Sequence, residues 1–321
     1  MTRILNAEPL DYSPIARDIL REIGTLEEID LHRPELLTHL DETNVLIVRL
    51  RNQIDREVIE SAPHLKVIVT ATTGLDHIDT AWTTELNIKV LSLKGEIDFL
   101  RSIPATAEHT WGLILGLVRN LPWAHQSVLS GEWQRDRFRG RDLCGRHLGI
   151  VGLGRIGEKI ARYGQAFGMK VAAYDPYRQN WLPEVKRTST LEELCHQSEI
   201  ISLHIPLNDK TRGFFGAQAI SWLPPGALLI NTARGAVLDE TALLVALENG
   251  LIGGVALDVL SDETAPERPL TARLVEYARS HTNLLLTPHI GGATIDSMHA
   301  TEIFMAGKLA EYLSKAHLLK N

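Results

Sequence analysis

The chain has 321 residues, with 33 Lys and Arg against 40 Asp and Glu, a net charge of −7, 44% apolar and 23% charged residues. That is an ordinary globular balance with material for two domains, and its mild acidity argues against a nucleic-acid surface. The two cysteines, Cys144 and Cys195, lack CxxC spacing and read as packing residues in a reducing compartment. No apolar signal core opens the chain, and the longest apolar stretch, 111–118, falls well short of the roughly 20 residues that span a bilayer. A cytoplasmic protein without membrane contact is expected.

In chain order, β-branched runs at 45–48, 67–69 and 88–91 alternate with polar or helical segments and predict a small parallel α/β sheet. After the second run comes Thr72-Thr73-Gly74-Leu75-Asp76-His77-Ile78-Asp79. Gly74 lies at the carboxyl edge of that sheet, where loop N–H groups suit a small anion, and the segment fits a plain strand-to-helix turn equally well. The pattern then breaks into a loop at 93–104, carrying Lys94 and Arg101. A helical period resumes over 105–121 with Trp111, Leu115 and Val118, and Pro122 is expected to stop it. Arg135, Arg137, Arg139, Arg141 and Arg146 follow, interleaved with Asp136 and Asp142, and read as a solvated connection.

The most informative stretch is 148–175, LGIVGLGRIGEKIARYGQAFGMKVAAYD. It predicts a strand at 148–151, a turn through Gly152, Gly154 and Gly157 at GxGxxG spacing, a helix from Arg155, a strand at 171–174 and an acid, Asp175. Gly152 permits the tight turn, Gly154 lets a pyrophosphate approach the backbone, and Gly157 lets helix and strand pack closely. The helix start directs unpaired N–H groups and its positive dipole end at phosphates. Asp175 stands 18 residues after Gly157 and suits an adenosine ribose, so the unit predicts a dinucleotide cofactor, with NAD favoured over NADP despite nearby Arg178.

Strands are predicted next at 200–203, ending at His204, at 227–230, ending in Asn231-Thr232-Ala233-Arg234-Gly235, and at 254–257, ending at Asp258. A helix with Asp239 as N-cap is predicted up to Glu248. A last strand at 284–286 enters Thr287-Pro288-His289-Ile290-Gly291-Gly292, and a final helix runs to about Leu318. The fold class is α/β, a doubly wound sheet with its ligands at the carboxyl edge. A nicotinamide needs a proton carrier and a grip on the substrate, and the strand ends offer Arg234, Glu263 and His289. Taken singly, each also fits a bland role: an arginine paired with a helix carboxylate, a glutamate in a charged loop, a satisfied loop histidine.

Together these motifs resemble the D-isomer-specific 2-hydroxyacid dehydrogenases, over about 45–294 and in the family's order. The resemblance implies two Rossmann-like domains with parallel sheets: a discontinuous substrate domain, 1–101 plus 289–321, and an NAD-binding domain, 102–288. It implies a homodimer built on the helix at 105–121 and the segment after it. It makes His289 the acid/base, Glu263 the partner that orients its ring and favours its charged form, and Arg234 the grip on the substrate carboxylate. Gly74 and Leu75 match the carboxylate-binding loop. The cofactor set becomes Gly152, Gly154, Arg155, Ile156, Gly157, Asp175, His204, Thr232, Asp258 and Gly291, with no metal. The expected partner is a small 2-hydroxy or 2-oxo acid.

Two features depart from the family pattern: the segment 93–104 is longer than usual and is expected to approach the substrate cleft, and Thr70 stands where phosphoglycerate-using relatives often carry arginine, although Arg49 matches a basic position in some. The alternatives are a 3-phosphoglycerate dehydrogenase-like enzyme without the appended regulatory domain, and an NAD-sensing corepressor-like binding protein. Glu263 speaks against a formate dehydrogenase, whose relatives replace it.

Overall fold

A computed structural model describes residues 1–263, 265 and 267–316 and gathers them into two compact units, each a parallel sheet covered by helices. One comprises Met1–Ile103 and the chain from Ala293 onward, the other Pro104–Gly292. The division falls two residues after the first expected joint and four after the second. Residues 289–292 stay with the second unit because Ile290 and Gly291 donate their backbone N–H to Asp258.

In the first unit, β1 (Arg3–Asn6), β2 (Thr25–Glu28), β3 (Val45–Val48), β4 (Val67–Thr70) and β5 (Lys89–Leu91) pair in the order β2-β1-β3-β4-β5. Around them lie α1 (Pro14–Ile23), α2 (Arg33–His39), α3 (Arg56–Glu60), α4 (Thr80–Glu85) and α5 (Ile97–Arg101). β3 and β4 are buried at every residue, as their unbroken apolar runs require. β1 and β2 escape a search for such runs: RILN and TLEE are short and polar-ended, and β2 is an edge strand with alternately exposed residues.

The segment 93–104 is not the uniform loop its sequence suggests. α5 forms because Leu100 is buried and Phe99 stacks on Phe304 with ring centroids 4.1 Å apart, while Lys308 Nζ holds Glu96 at 2.5 Å. Lys94 and Arg101 are exposed, Arg101 pairing with Asp98. Phe304 and Lys308 belong to the final helix, Ile295–Lys315, which buries Met305, Ala306, Leu309 and Leu313 against Ile4, Leu20, Val45 and Val67. Leu318, where that helix was expected to end, lies outside the described residues.

The second unit opens with α6 (Ala105–Val118) and α7 (Leu121–Leu129). Pro122 does not stop α6. Asn120 does so, in the left-handed region at φ 56°, and Pro122 sits in the first turn of α7, where its missing N–H leaves no bond unmade. Then follow β6 (His147–Val151), α8 (Arg155–Ala166), β7 (Lys170–Tyr174), β8 (Lys186–Arg187), α9 (Leu191–Gln197), β9 (Ile200–Leu203), α10 (Ala217–Ser221), β10 (Leu228–Asn231), α11 (Glu240–Glu248), β11 (Gly254–Leu257), α12 (Pro269–Ser280) and β12 (Leu284–Leu286). The strands pair in parallel as β12-β11-β10-β9-β6-β7-β8. Successive residues feed opposite apolar layers, Leu229 into one and Ile230 into the other. The order reverses between β6 and β9, which places the ligand crevice of such a sheet beyond those strand ends.

Cys195 is buried, which pushes its thiol up to about 12, whereas Cys144 is exposed rather than packed. Among the described residues no helix is long and apolar enough to cross a membrane. Leu309 is fully buried on the final helix, so Leu309→Ala is expected to lower the unfolding free energy by about 3 kcal/mol in urea titration. A loss below about 1 kcal/mol would contradict its place in that core.

Candidate active site

Each residue singled out in the second unit follows the end of a parallel strand: Gly152 after β6, Asp175 after β7, His204 after β9, Thr232 after β10, Asp258 after β11 and His289 after β12. Parallel pairing therefore delivers them to one sheet edge.

The three glycines have distinct surroundings. Gly152 has φ +89°, and a Cβ there would stand 2.6 Å from the His204 carbonyl oxygen. A Cβ on Gly157 would run into the Gly152 carbonyl, so α8 packs onto the turn only through glycine. Gly154 is different: among the described residues nothing lies within 4 Å of the place its Cβ would take. That open space in front of the first turn of α8, where Arg155 begins the helix and Ile156 packs into the core, suits a pyrophosphate held by backbone N–H groups.

Asp175 is turned toward the same loop. Its Oδ2 accepts from Leu153 N at 3.0 Å and its Oδ1 from Tyr177 N at 3.0 Å and Arg178 N at 3.1 Å, so the carboxylate is pre-oriented with lone pairs left for ribose hydroxyls. The Arg178 guanidinium folds back onto the Leu153 carbonyl and pairs with Glu158 at 2.5 Å, which satisfies it away from any 2′-phosphate. His204 Nε2 meets Ser202 Oγ at 2.8 Å, and its Nδ1 is buried with no partner among the described residues. Burial lowers this ring to about 3, so it is neutral at pH 7. Thr232 is buried and meets Thr110 Oγ1 at 2.7 Å.

Asp258 is the most heavily engaged carboxylate. It accepts from His109 Nε2 (3.1 Å), Thr287 Oγ1 (2.7 Å), Ile290 N (2.8 Å) and Gly291 N (2.8 Å). Burial pushes its carboxyl up, but these four hydrogen bonds outweigh that and hold it below the usual carboxylate range. A Cβ on Gly291 would come within 2.8 Å of Asp258 Oδ2, so glycine is required for this approach. His109 and Thr287 were not read from sequence, although a histidine on the inward side of apolar α6 is a visible signal.

The Asp258 backbone oxygen accepts from His289 N at 2.8 Å, and His289 is held at φ +56°, a costly conformation for a non-glycine residue. Its Nδ1 lies 2.7 Å from Glu263 Oε1, with both side chains a little over a quarter exposed. Among the described residues nothing bonds to Nε2, which leaves that nitrogen available. Arg234 sits on a turn shaped by Asn231, whose Oδ1 accepts from Ala233 N (3.0 Å) and whose Nδ2 donates to the Arg234 carbonyl (2.9 Å). The next residue, Gly235, leaves no room for a side chain beside the backbone of Leu260 and Ser261, the strand-end loop that carries Glu263.

Within the first unit, Gly74 and Leu75 lie just past β4. Thr72 Oγ1 donates to the Gly74 carbonyl at 2.7 Å and Leu75 O accepts from Ile78 N, while the amides of Thr73, Gly74 and Leu75 make no hydrogen bond among the described residues.

Residues 111–291 match the family model for the NAD binding domain of D-isomer specific 2-hydroxyacid dehydrogenases. The chain is 37% identical to D-3-phosphoglycerate dehydrogenase of Methanocaldococcus jannaschii, covering 98% of this chain and 58% of that protein. It thus spans little more than half the length of that relative. It is 33% identical to hydroxypyruvate reductase of Thermotoga maritima, covering 94% of this chain and 96% of the other. Among solved structures, D-lactate dehydrogenase from Aquifex aeolicus, complexed with NAD and lactic acid, matches with a TM-score of 0.84 at 28% identity, over 99% of this chain and 97% of that one.

The glycine environments make a paired prediction. Gly154→Ala should leave the melting temperature within about 2 °C and weaken NADH binding about tenfold in fluorescence titration. Gly157→Ala should instead lower the melting temperature by several degrees, about 1 kcal/mol or more. Equal effects of the two variants on both measurements would contradict the division of labour.

Proposed function

Because this chain belongs to the D-isomer specific 2-hydroxyacid dehydrogenase family, we propose that it interconverts a D-2-hydroxy acid and its 2-oxo acid with NAD, using Arg234, Glu263 and His289. The observation that carries this reading is the 2.7 Å bond between His289 Nδ1 and Glu263, which fixes the ring and leaves Nε2 to exchange a proton.

When bound, NADH supplies the hydride that C2 of the oxo acid receives. His289, as imidazolium, donates its Nε2 proton to the oxygen that becomes the hydroxyl, while the Glu263 carboxylate faces the charge the ring carries before transfer. Arg234, whose Nη1 donates to the Ala233 carbonyl at 2.7 Å, would present its guanidinium fork to the substrate carboxylate, a geometry that lysine does not reproduce. In the other direction the neutral ring accepts the proton at the same nitrogen. The unpaired amides around Gly74 and Leu75 suit a carboxylate, and we assign them to substrate binding. Gly152 to Gly157 with Asp175 would hold the cofactor's pyrophosphate and ribose, and His204, Thr232, Asp258 and Gly291 would complete its site.

A small, unphosphorylated oxo acid is favoured over 3-phosphoglycerate. Thr70 is buried beside Thr72 and His77, and Arg49 is committed: Nη2 to buried Glu302 at 2.6 Å, Nη1 to the Leu10 carbonyl at 2.8 Å. The relative named hydroxypyruvate reductase sets the panel to try, hydroxypyruvate and simpler 2-oxo acids.

The pairing of two copies is assigned to α7 and the residues after it. α7 buries none of its residues, and Leu121, Val128, Leu129 and Trp133 are exposed, Trp133 at 87%. An apolar patch of this kind marks a protein interface, here with a second copy in the cytoplasm.

Two measurements test these assignments. NADH loss is followed with glyoxylate, hydroxypyruvate and pyruvate, beside NAD reduction with 3-phosphoglycerate. Turnover of at least one oxo acid, lost by roughly two to four orders of magnitude in His289→Asn with NADH affinity retained, is expected. Unchanged turnover in that variant sinks the acid/base role, and preference for phosphoglycerate sinks the substrate choice. Separately, Trp133→Arg should shift sedimentation from dimer to monomer, and an unshifted dimer would place the interface elsewhere.

A further inference from the structure

Glu263 lies on a strand-end loop, outside any helix or strand, yet proton transfer needs it placed within a fraction of an ångström of His289. The loop is pinned from two directions. On one side Asp262 caps α12, its Oδ2 accepting from Leu270 N (3.0 Å) and Thr271 N (3.3 Å) and its Oδ1 from Thr271 Oγ1 (2.5 Å). On the other, Ser261 is held by a residue with no part in the chemistry described so far. Glu240, the first residue of α11, is 3% exposed, and its Oε1 accepts from Ser261 N at 2.7 Å while its Oε2 meets Ser261 Oγ at 2.6 Å.

Burying a carboxyl group is expensive, and a serine hydroxyl and one amide do not require it. Burial pushes Glu240 above the ordinary carboxylate range; the Ser261 hydrogen bonds act against this, and the Asp262 and Glu263 carboxylates add to the rise. The site that Glu240 stabilises is the loop itself. Gly235 closes the arrangement, since its lack of a side chain lets the Arg234 turn lie against Leu260 and Ser261. Leu260 N then donates to Glu263 Oε2 at 3.2 Å, so the loop folds back on the carboxylate that grips His289. Asp239 caps α11 through Ala242 N and thereby sets where Glu240 begins.

We propose that Glu240 is a positioning residue for the proton-transfer pair: by holding Ser261 through both carboxyl oxygens, it fixes Glu263 against His289 and couples that pair to the turn bearing Arg234. The inference rests on the dehydrogenase reading given above.

The experiment compares wild type, Glu240→Ala, Glu240→Gln and Ser261→Ala for kcat, NADH affinity and the primary isotope effect on kcat with NADH deuterated at the transferred position. Glu240→Ala is expected to lower kcat about 10- to 100-fold, leave the NADH Kd within about twofold, and raise the isotope effect because hydride transfer becomes slower than the steps around it. Glu240→Gln, which can still accept from Ser261 N and donate to its hydroxyl, is expected to restore most of the rate. Ser261→Ala, which keeps the amide bond to Glu240, should fall between. A drop in kcat with an unchanged isotope effect and no rescue by Gln means fewer folded molecules and overturns the proposal. So does wild-type kcat in Glu240→Ala. Should Glu240→Ala not fold, the Ser261→Ala isotope effect decides by the same criterion. Absence of wild-type turnover on every oxo acid overturns the dehydrogenase reading and this inference with it.

Discussion

The chemistry-bearing corner of this protein depends on one buried carboxylate. Asp258 ends β11 and accepts four hydrogen bonds, two of them from the backbone of Ile290 and Gly291, while its own carbonyl receives the His289 N–H. A histidine at φ +56° persists only where its surroundings over-determine it, and this network does so. Because the Asp258 carboxyl is held below its ordinary range, the stabilisation is fully present above the unfolded value, near pH 4, and is lost as pH falls through the folded one. The chain at His289 is thus held twice, by the Asp258 carbonyl at the His289 N–H and by the Asp258 carboxylate at the next two amides.

Around that anchor the site is assembled from backbone constraints more than from side-chain contacts. Gly157 allows α8 to meet the turn at Gly152, Gly235 allows the Arg234 turn to meet the Glu263 loop, and Gly291 allows the chain after β12 to meet Asp258. Gly154 differs from all of these, since no atom of the described residues lies within 4 Å of the place its Cβ would take. In one unit, glycine serves close packing within the fold and also leaves open space in front of a helix N-terminus.

Much of this was legible in the sequence, and the misses have physical causes. Buried parallel strands announce themselves as apolar runs, so β3, β4, β6, β9 and β11 stand out, whereas β1, β2 and β8 are short or lie at an edge and carry polar residues. α5 was hidden because it is stabilised by contacts distant in sequence, Phe99 on Phe304 and Glu96 with Lys308. Local rules do not distinguish the end of one helix from the first turn of the next, so Pro122 reads as a stop in the sequence, and Asn120 in the left-handed region makes the difference. The roles offered for Arg234, Glu263 and His289 came from a family pattern, and no local rule predicts that Glu263 and His289 lie 2.7 Å apart. His109 and Glu240 belong to no motif and each acts on another residue, and Thr287, though it opens the strand-end motif that holds His289, shows its role only through its bond to Asp258.

The proposed acid/base role places the carbonyl oxygen of a bound 2-oxo acid at His289 Nε2 and its carboxylate on Arg234. A crystal structure of the complex with NAD and a non-reactive 2-oxo acid analogue tests it most directly. The analogue's carbonyl oxygen is expected within hydrogen-bond distance of Nε2, about 2.6–3.2 Å, with the His289–Glu263 bond intact and Arg234 donors on the carboxylate. An analogue seated with its carbonyl away from His289, or its carboxylate on other groups, would contradict it.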